Sequence, residues 1–372
     1  MIKETLNDQH LVIFRTSCSV LNLKTYNCQE LGLSKALNEK GLKVSLVLAG
    51  EKESTETFDG VQIFRLPFKA INQQLGLFLG YKKLLEKINP TLIQVHDMGL
   101  FMSFAVTRWA KSHGIPCFLI QGNYETTRKP FLKQFEICFN LLFGRYILQN
   151  VAGIGCKTKR ASQYVKSYLN CETKVTHVGL DVSKFDNSVD REWKKDLGLQ
   201  EKKVLLYVGA IEHRRNPFFL LEILSHLSNN YVLLIAGEGS LKQEVKKKIV
   251  EKGLTDRCFL LGKIPQNQLP SLYKSSDVFL LASNYEIYGM VVLEAMYFGV
   301  PVISSCTAGS ESLIIHGKDG YVMRTLDPKS WTETIEQTVG NPKMKIYARK
   351  KIEKEFLWDK IADQFLDVYF DK

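Results

Sequence analysis

The sequence predicts an α/β protein made of two doubly wound parallel-sheet domains, and three observations carry that expectation. Short apolar runs alternate with longer helical segments along most of the chain, the rhythm of β-α-β units. The rhythm stops at a polar stretch, residues 183–203, and then restarts. The length, 372 residues, exceeds what one core usually serves. The expected division is a first domain over 1–182, a linker over 183–203, a second domain over 204–344 and a final helix over 345–372 that crosses back.

In the first half, residues 11–15 read as a strand, 16–26 as a loop, 27–40 as a helix stopped by Gly41, and 44–49 as a second strand. Further strands are expected at 61–66, 91–95 and 116–120, with helices over 75–88 and 100–113. Ligands of such sheets bind beyond the carboxyl ends of the strands. That makes His96, Asp97, Gln121 and Asn123 candidates, with a locally hydrogen-bonded structural role as the alternative for His96. Residues 131–148, FLKQFEICFNLLFGRYIL, form a strongly apolar helix with Lys129, Lys133 and Arg145 at its flanks. It suits either a core helix or one lying at a membrane interface. Strand and helix alternate again over 152–178, and Gly179 to Asp181 mark a turn.

In the second half, 204–208 is a strand and the following loop, GAIEHRRNP, carries Arg214 and Arg215. A helix over 218–227 and a strand over 232–235 lead to the turn Gly237-Glu238-Gly239 and a Lys-rich helix. A strand over 258–261 ends at Gly262, and a helix covers 268–274. The stretch DVFLLASNYEIYGMVVLEAMYFGVP, 277–301, then reads as a strand (278–281), a loop and a helix over 288–298 stopped by Gly299. Glu286 precedes that helix and Glu294 lies inside it, a separation of about 12 Å at helical rise. This span suits a nucleotide-sugar diphosphate, with sugar hydroxyls on one carboxylate and ribose hydroxyls on the other. Gly289 and the free N–H groups of the helix start, flanked by Tyr288 and Met290, make an anion site for the phosphates. A strand over 302–304 and a loop with Gly309 and Glu311 follow. No Gly-x-Gly-x-x-Gly succeeds the first strand, which argues against a dinucleotide dehydrogenase.

Composition narrows the class. The chain is 45% hydrophobic and 24% charged, ordinary for a globular protein. No apolar run approaches the roughly 20 residues that span a bilayer. The start, MIKETLNDQHLVIF, lacks a signal-peptide core. The eight cysteines form no C-x-x-C pair, so reduced thiols, a cytoplasmic location and no metal site are expected. The net charge is +11, and residues 1–185 hold most of it, with 24 Lys and Arg against 14 Asp and Glu. An anionic partner for the first half follows: nucleic acid, a phospholipid surface or a phosphorylated acceptor. Nucleic acid ranks last, because no aromatic-interleaved basic ribbon or zinc motif is present.

Taken together, VGAIEHRRNP, IAGEGSL, FLLGKIP, DVFLLAS and the block 286–301 resemble the retaining glycosyltransferases of the GT-B fold, family 4. The similarity is dense over 204–323. It is looser over the first half, where TYNCQELGLSKAL, TLIQVHD and HVGLDVSKF fit the family layout. The resemblance implies two Rossmann-like domains facing a cleft, with the nucleotide-sugar donor in the second and the acceptor entering from the first. It implies that Glu286, first of the Glu-x7-Glu motif, contacts the donor sugar and that Glu294 holds the ribose. Arg215 falls where the family usually has a lysine, with Arg214 beside it, and these would neutralise the diphosphate leaving group. Gly237 and Glu238 match a turn lining the donor site, and Ile264 the segment near the base. His96, Asp97 and Gln121 fall on the acceptor side. The first loop lacks the family's paired glycines, Ala210 replaces a usual arginine, and Gln121 replaces a common histidine. The chain contains no Asp-x-Asp, so neither a metal nor another cofactor is expected. The implied acceptor is a lipid-linked saccharide at the inner membrane face. Alternatives are a same-fold enzyme, either a nucleotide-sugar epimerase or a transferase with a soluble or protein acceptor, and a non-catalytic GT-B partner subunit.

Overall fold

Uninterrupted apolar runs become central strands, because a parallel sheet covered by helices on both faces has no solvated side. The computed structural model describes residues 6–23, 28–72, 75–126, 130–339 and 341–370. It divides into two compact units, one of residues 1–179 with 358–372 and the other of 180–357. Asn27 at the expected helix start, residues 24–26 of the first loop and Lys129 lie outside the described residues.

The first unit contains β1 (His10–Phe14), β2 (Lys43–Ala49), β3 (Ser54–Phe58), β4 (Val61–Leu66), β5 (Phe68–Ala70), β6 (Gly76–Phe78), β7 (Leu92–His96), β8 (Cys117–Gln121), β9 (Gly153–Cys156) and β10 (Lys174–Val175). Eight of these form one sheet in the order β10-β9-β8-β7-β1-β2-β4-β3, antiparallel only between β3 and β4. The strand β3, STETF, escaped the sequence reading because it is a mostly exposed edge without an apolar run.

Three expected helices differ. Residues 75–88 split into β6, paired with β5, and a helix from Tyr81 to Ile88 that begins after Gly80 at φ 77°. The apolar helix expected over 131–148 runs as Pro130–Phe139, a π turn over Asn140–Gly144 and Arg145–Asn150. Buried Asn140 explains the extra residue, since its amide donates to the hydroxyls of Tyr164 at 3.0 Å and Tyr168 at 3.4 Å. The helix expected over 345–370 is broken at Phe356 and Leu357. Pro342–Glu355 belongs to the second unit and Trp358–Phe370 to the first. There Ile361, Ala362, Phe365 and Val368 join the core, and the Trp358 indole occupies the space a Cβ on Gly32 or Gly179 would need.

The stretch 183–203, read from its polarity as a linker, packs within the second unit. Trp193 anchors it, 2% exposed, with its indole N–H donating to Ser271 Oγ at 3.1 Å. One large apolar side chain outweighs the polar run around it. The unit continues through β11 (Lys203–Val208), β12 (Tyr231–Ala236), β13 (Cys258–Gly262), β14 (Val278–Leu281), β15 (Val302–Ser305) and β16 (Gly320–Met323). The sheet order is β13-β12-β11-β14-β15-β16, all parallel. The chain thus starts in the middle, winds outward one way and returns to wind the other, with its switch point between β11 and β14. Gly309, expected in a loop, lies in the helix Ala308–Leu313, which Thr307 and Ser310 close with a capping box.

Candidate functional site

A doubly wound sheet opens a crevice where its winding reverses, beyond the carboxyl ends of the two strands on either side. In the second unit those strands are β11 and β14, and the loops that leave them carry Arg214, Arg215 and Glu286. The loops are laced together: Asn284 N–H donates to the Arg214 carbonyl at 2.9 Å, and the Arg214 guanidinium donates to the Tyr285 carbonyl at 3.3 Å. Arg215 forms an ion pair with Glu286 and donates to Ser283 Oγ at 3.3 Å. Only 17% of the Arg215 side chain and 12% of the Glu286 side chain are exposed. Burial, then the charge of Arg214, pushes the Arg215 guanidinium below its usual value. It keeps its charge at neutral pH nonetheless. Arg214 is more exposed and holds Glu212 at 2.9 Å.

Just beyond Glu286, Gly289 at φ 90° turns the chain into the helix Met290–Tyr297. No side chain caps that helix, and of its first N–H groups that of Val292 donates to the Gly289 carbonyl at 2.9 Å. Tyr288 and Gly289 are buried, and Met290 is half-buried. Because the helix begins at Met290, only four helical steps separate its first residue from Glu294. The helix thus supplies about 6 Å of rise up to Glu294, and the loop from Glu286 to Gly289, not a further helical turn, makes up the rest of their separation. Glu294 is 5% exposed and accepts from the hydroxyl of buried Tyr273 at 2.8 Å. Burial pushes its carboxyl up to about 7, against the Tyr273 hydrogen bond and the charge of Lys184. The Tyr273 hydroxyl is raised as well, by burial and by Glu294.

The neighbouring turn is set by close approach. A Cβ on Gly237 would collide with the Gly209 backbone, and one on Gly239 with that of Ile211. The Gly237 N–H donates to the Gly262 carbonyl at 2.7 Å, and the Glu238 carbonyl accepts from Ile211 at 2.9 Å. The Glu238 side chain is exposed and pairs with Lys242 at 2.6 Å. Ile264 is half-buried in the loop after β13.

The strand-end candidates of the first unit form a network of their own. Asp97, at φ 54°, accepts from the backbone N–H groups of Gly122 at 2.8 Å and Asn123 at 2.9 Å. The Gln121 amide is spent on Met98 N–H and the Asn123 carbonyl. His96 Nε2 lies 2.9 Å from Gln94 Nε2, and the Gln94 carbonyl accepts from Tyr369. That arrangement fixes the His96 proton on Nδ1, which faces Glu30 at 3.8 Å. Burial pushes His96 down to about 4. Burial opposes ionisation of Glu30, but His96, Lys157 and Arg15 hold it at about 2. Sequence reasoning missed Glu30, Lys157, Tyr273 and Ser283. Glu30 lies within TYNCQELGLSKAL and Ser283 ends DVFLLAS, neither singled out there, Lys157 and Tyr273 lie in no quoted segment, and only tertiary packing brings the four to their partners. Among the described residues no cluster of three His, Cys, Asp or Glu is placed to hold a metal.

The two parallel-sheet α/β units give the chain the GT-B glycosyltransferase fold. It superposes over 97% of its length on 99% of Anabaena Alr3699/HepE in complex with UDP, with a TM-score of 0.78 and 13% identity. Residues 189–355 match the family model described as glycosyl transferases group 1. One relative is the Escherichia coli UDP-Gal:alpha-D-GlcNAc-diphosphoundecaprenol alpha-1,3-galactosyltransferase, 29% identical over 343 residues, 84% of each chain. An uncharacterized glycosyltransferase of Methanocaldococcus jannaschii is 27% identical over 53% of this chain and 54% of its own. The chain spans about half the length of several curated relatives it matches, 58% of spore coat protein SA of Bacillus subtilis among them.

Proposed function

We propose that the protein is a retaining, metal-independent glycosyltransferase of family 4 that moves a sugar from a nucleotide-diphosphate sugar to an acceptor hydroxyl. The observation that carries this reading is the Arg215–Glu286 pair at the β11/β14 switch point, beside an uncapped helix start. Arg215, with Arg214 nearby, would take the diphosphate, and Glu286 the donor sugar. Glu294 would face the ribose. In the reaction the bond from sugar C1 to the β-phosphate oxygen breaks and a bond from C1 to the acceptor oxygen forms on the same face. The acceptor proton passes to the departing phosphate, whose charge the guanidinium and helix N–H groups stabilise. The E. coli relative names a lipid diphosphate acceptor, and the basic first half suits one. A lipid-linked saccharide of a bacterial surface polysaccharide or glycolipid is therefore the proposed acceptor, met from the cytoplasm at the membrane face.

A panel of nucleotide sugars with lipid-diphosphate and soluble acceptors tests it. Glu286→Ala should lower turnover by roughly a hundredfold or more, the scale of losing one group that stabilises the transition state. Turnover retained in that variant refutes the site. Donor binding without turnover in the wild type would point instead to a non-catalytic partner subunit.

A further inference from the structure

We infer that the aromatic face shared by the helix Phe101–Ser112 and the segments Pro130–Phe139, Asn140–Gly144 and Arg145–Asn150 docks on an anionic lipid bilayer. The inference deepens the proposed reading by placing its lipid contact on particular residues. Four large apolar side chains stand out from this face: Leu132 and Phe135 at 48% exposure, Leu141 at 46% and Leu142 at 70%. The π turn produces this, because turning Asn140 inward onto Tyr164 and Tyr168 leaves Leu141 and Leu142 both outward. Behind them runs an unbroken ladder of rings, Phe135 to Phe139 at 6.4 Å, Phe139 to Phe143 at 4.8 Å, Phe143 to Phe104 at 4.7 Å and Phe104 to Tyr146 at 5.2 Å.

Charge selects the occupant. Residues 98–171 hold ten Lys and Arg, against Glu125 and Glu136 alone. Glu136 is 4% exposed, turned in toward the Tyr164 hydroxyl, so it does not offset the outer charge. Lys133 and Arg145 are exposed on the same segment, and the Lys111 ammonium lies 5.7 Å from the Tyr146 ring centre. Apolar side chains rimmed by cations fit the boundary between acyl chains and anionic headgroups. A second copy of this face would set like charges against each other. No described helix is long and apolar enough to cross a membrane, so the contact lies along the surface.

The test is co-sedimentation of the full chain with vesicles of phosphatidylcholine, with and without phosphatidylglycerol. Retention is expected on the phosphatidylglycerol vesicles and should weaken with salt. The F135E/L142E variant should lose roughly tenfold or more in partitioning. K133Q/R145Q should lose the preference for phosphatidylglycerol. Val250→Glu, at an apolar residue 64% exposed in the other unit, should change nothing. Circular dichroism and melting of each variant check that it folds. Absence of wild-type retention, equal retention by folded F135E/L142E, or a wild-type dimer that this variant dissolves would overturn the inference. Turnover with a detergent-dispersed acceptor, measured without vesicles, should survive F135E/L142E and fail in Glu286→Ala, so the two readings fall separately.

Discussion

Replacing Glu294 by glutamine should change how the stability of the second unit depends on pH. In the wild type this carboxyl is 5% exposed, and burial raises it from 4.5 to about 7. The folded state therefore holds the proton more tightly than the unfolded chain does. Its contribution to stability is fully present below pH 4.5 and drains away as the pH climbs through about 7. At 1.36 kcal/mol per unit, the loss across that window is about 3 kcal/mol. Glutamine keeps the shape and still accepts from Tyr273, but it carries no titrating proton. Hydrogen exchange of peptides from β12, measured against urea, reports the opening of this unit. The variant should gain about 3 kcal/mol on the wild type between pH 4.5 and just above 7. A difference that stays flat across the range would refute the reasoning, because Glu294 would then titrate as an ordinary exposed carboxylate.

Arg215→Gln replaces a charged planar fork that pairs with Glu286 and reaches Ser283 with a neutral amide. Nucleoside diphosphate affinity by calorimetry should fall about tenfold, and an unchanged affinity would remove Arg215 from the site. Trp193→Ala should cost about 3–5 kcal/mol by loss of a filled core position. Exchange should show that loss in the second unit and not in the first; a loss below 1 kcal/mol on the same scale would restore the linker reading. In proton NMR, His96 should titrate near pH 4, staying neutral through the physiological range. A midpoint near 6.5 would mean that the ring is open to water.

The sequence by itself determined what repeats and what is locally constrained. Apolar runs such as LVIF and VLLY must be strands of covered sheets, and Gly289 marks the turn into the helix that follows. The loop GAIEHRRNP and the stretch around Glu286 singled out two segments before any fold was visible, and these are the loops that leave β11 and β14. Tertiary structure decided the rest, because those features depend on partners remote in the chain. It paired Arg215 with Glu286 across the β11/β14 crevice and set Glu294 on Tyr273. Polarity suggested a linker at 183–203, but Trp193 finds Ser271 only once the sheet exists. The apolar helix over 131–148 carried the right composition and the wrong phase. Asn140 reaches Tyr164 and Tyr168 by spending one extra residue, and no pattern within the helix encodes where those hydroxyls will be. Local preference fixes the type of an element, while its ends and the bonds of its polar side chains belong to the packed whole.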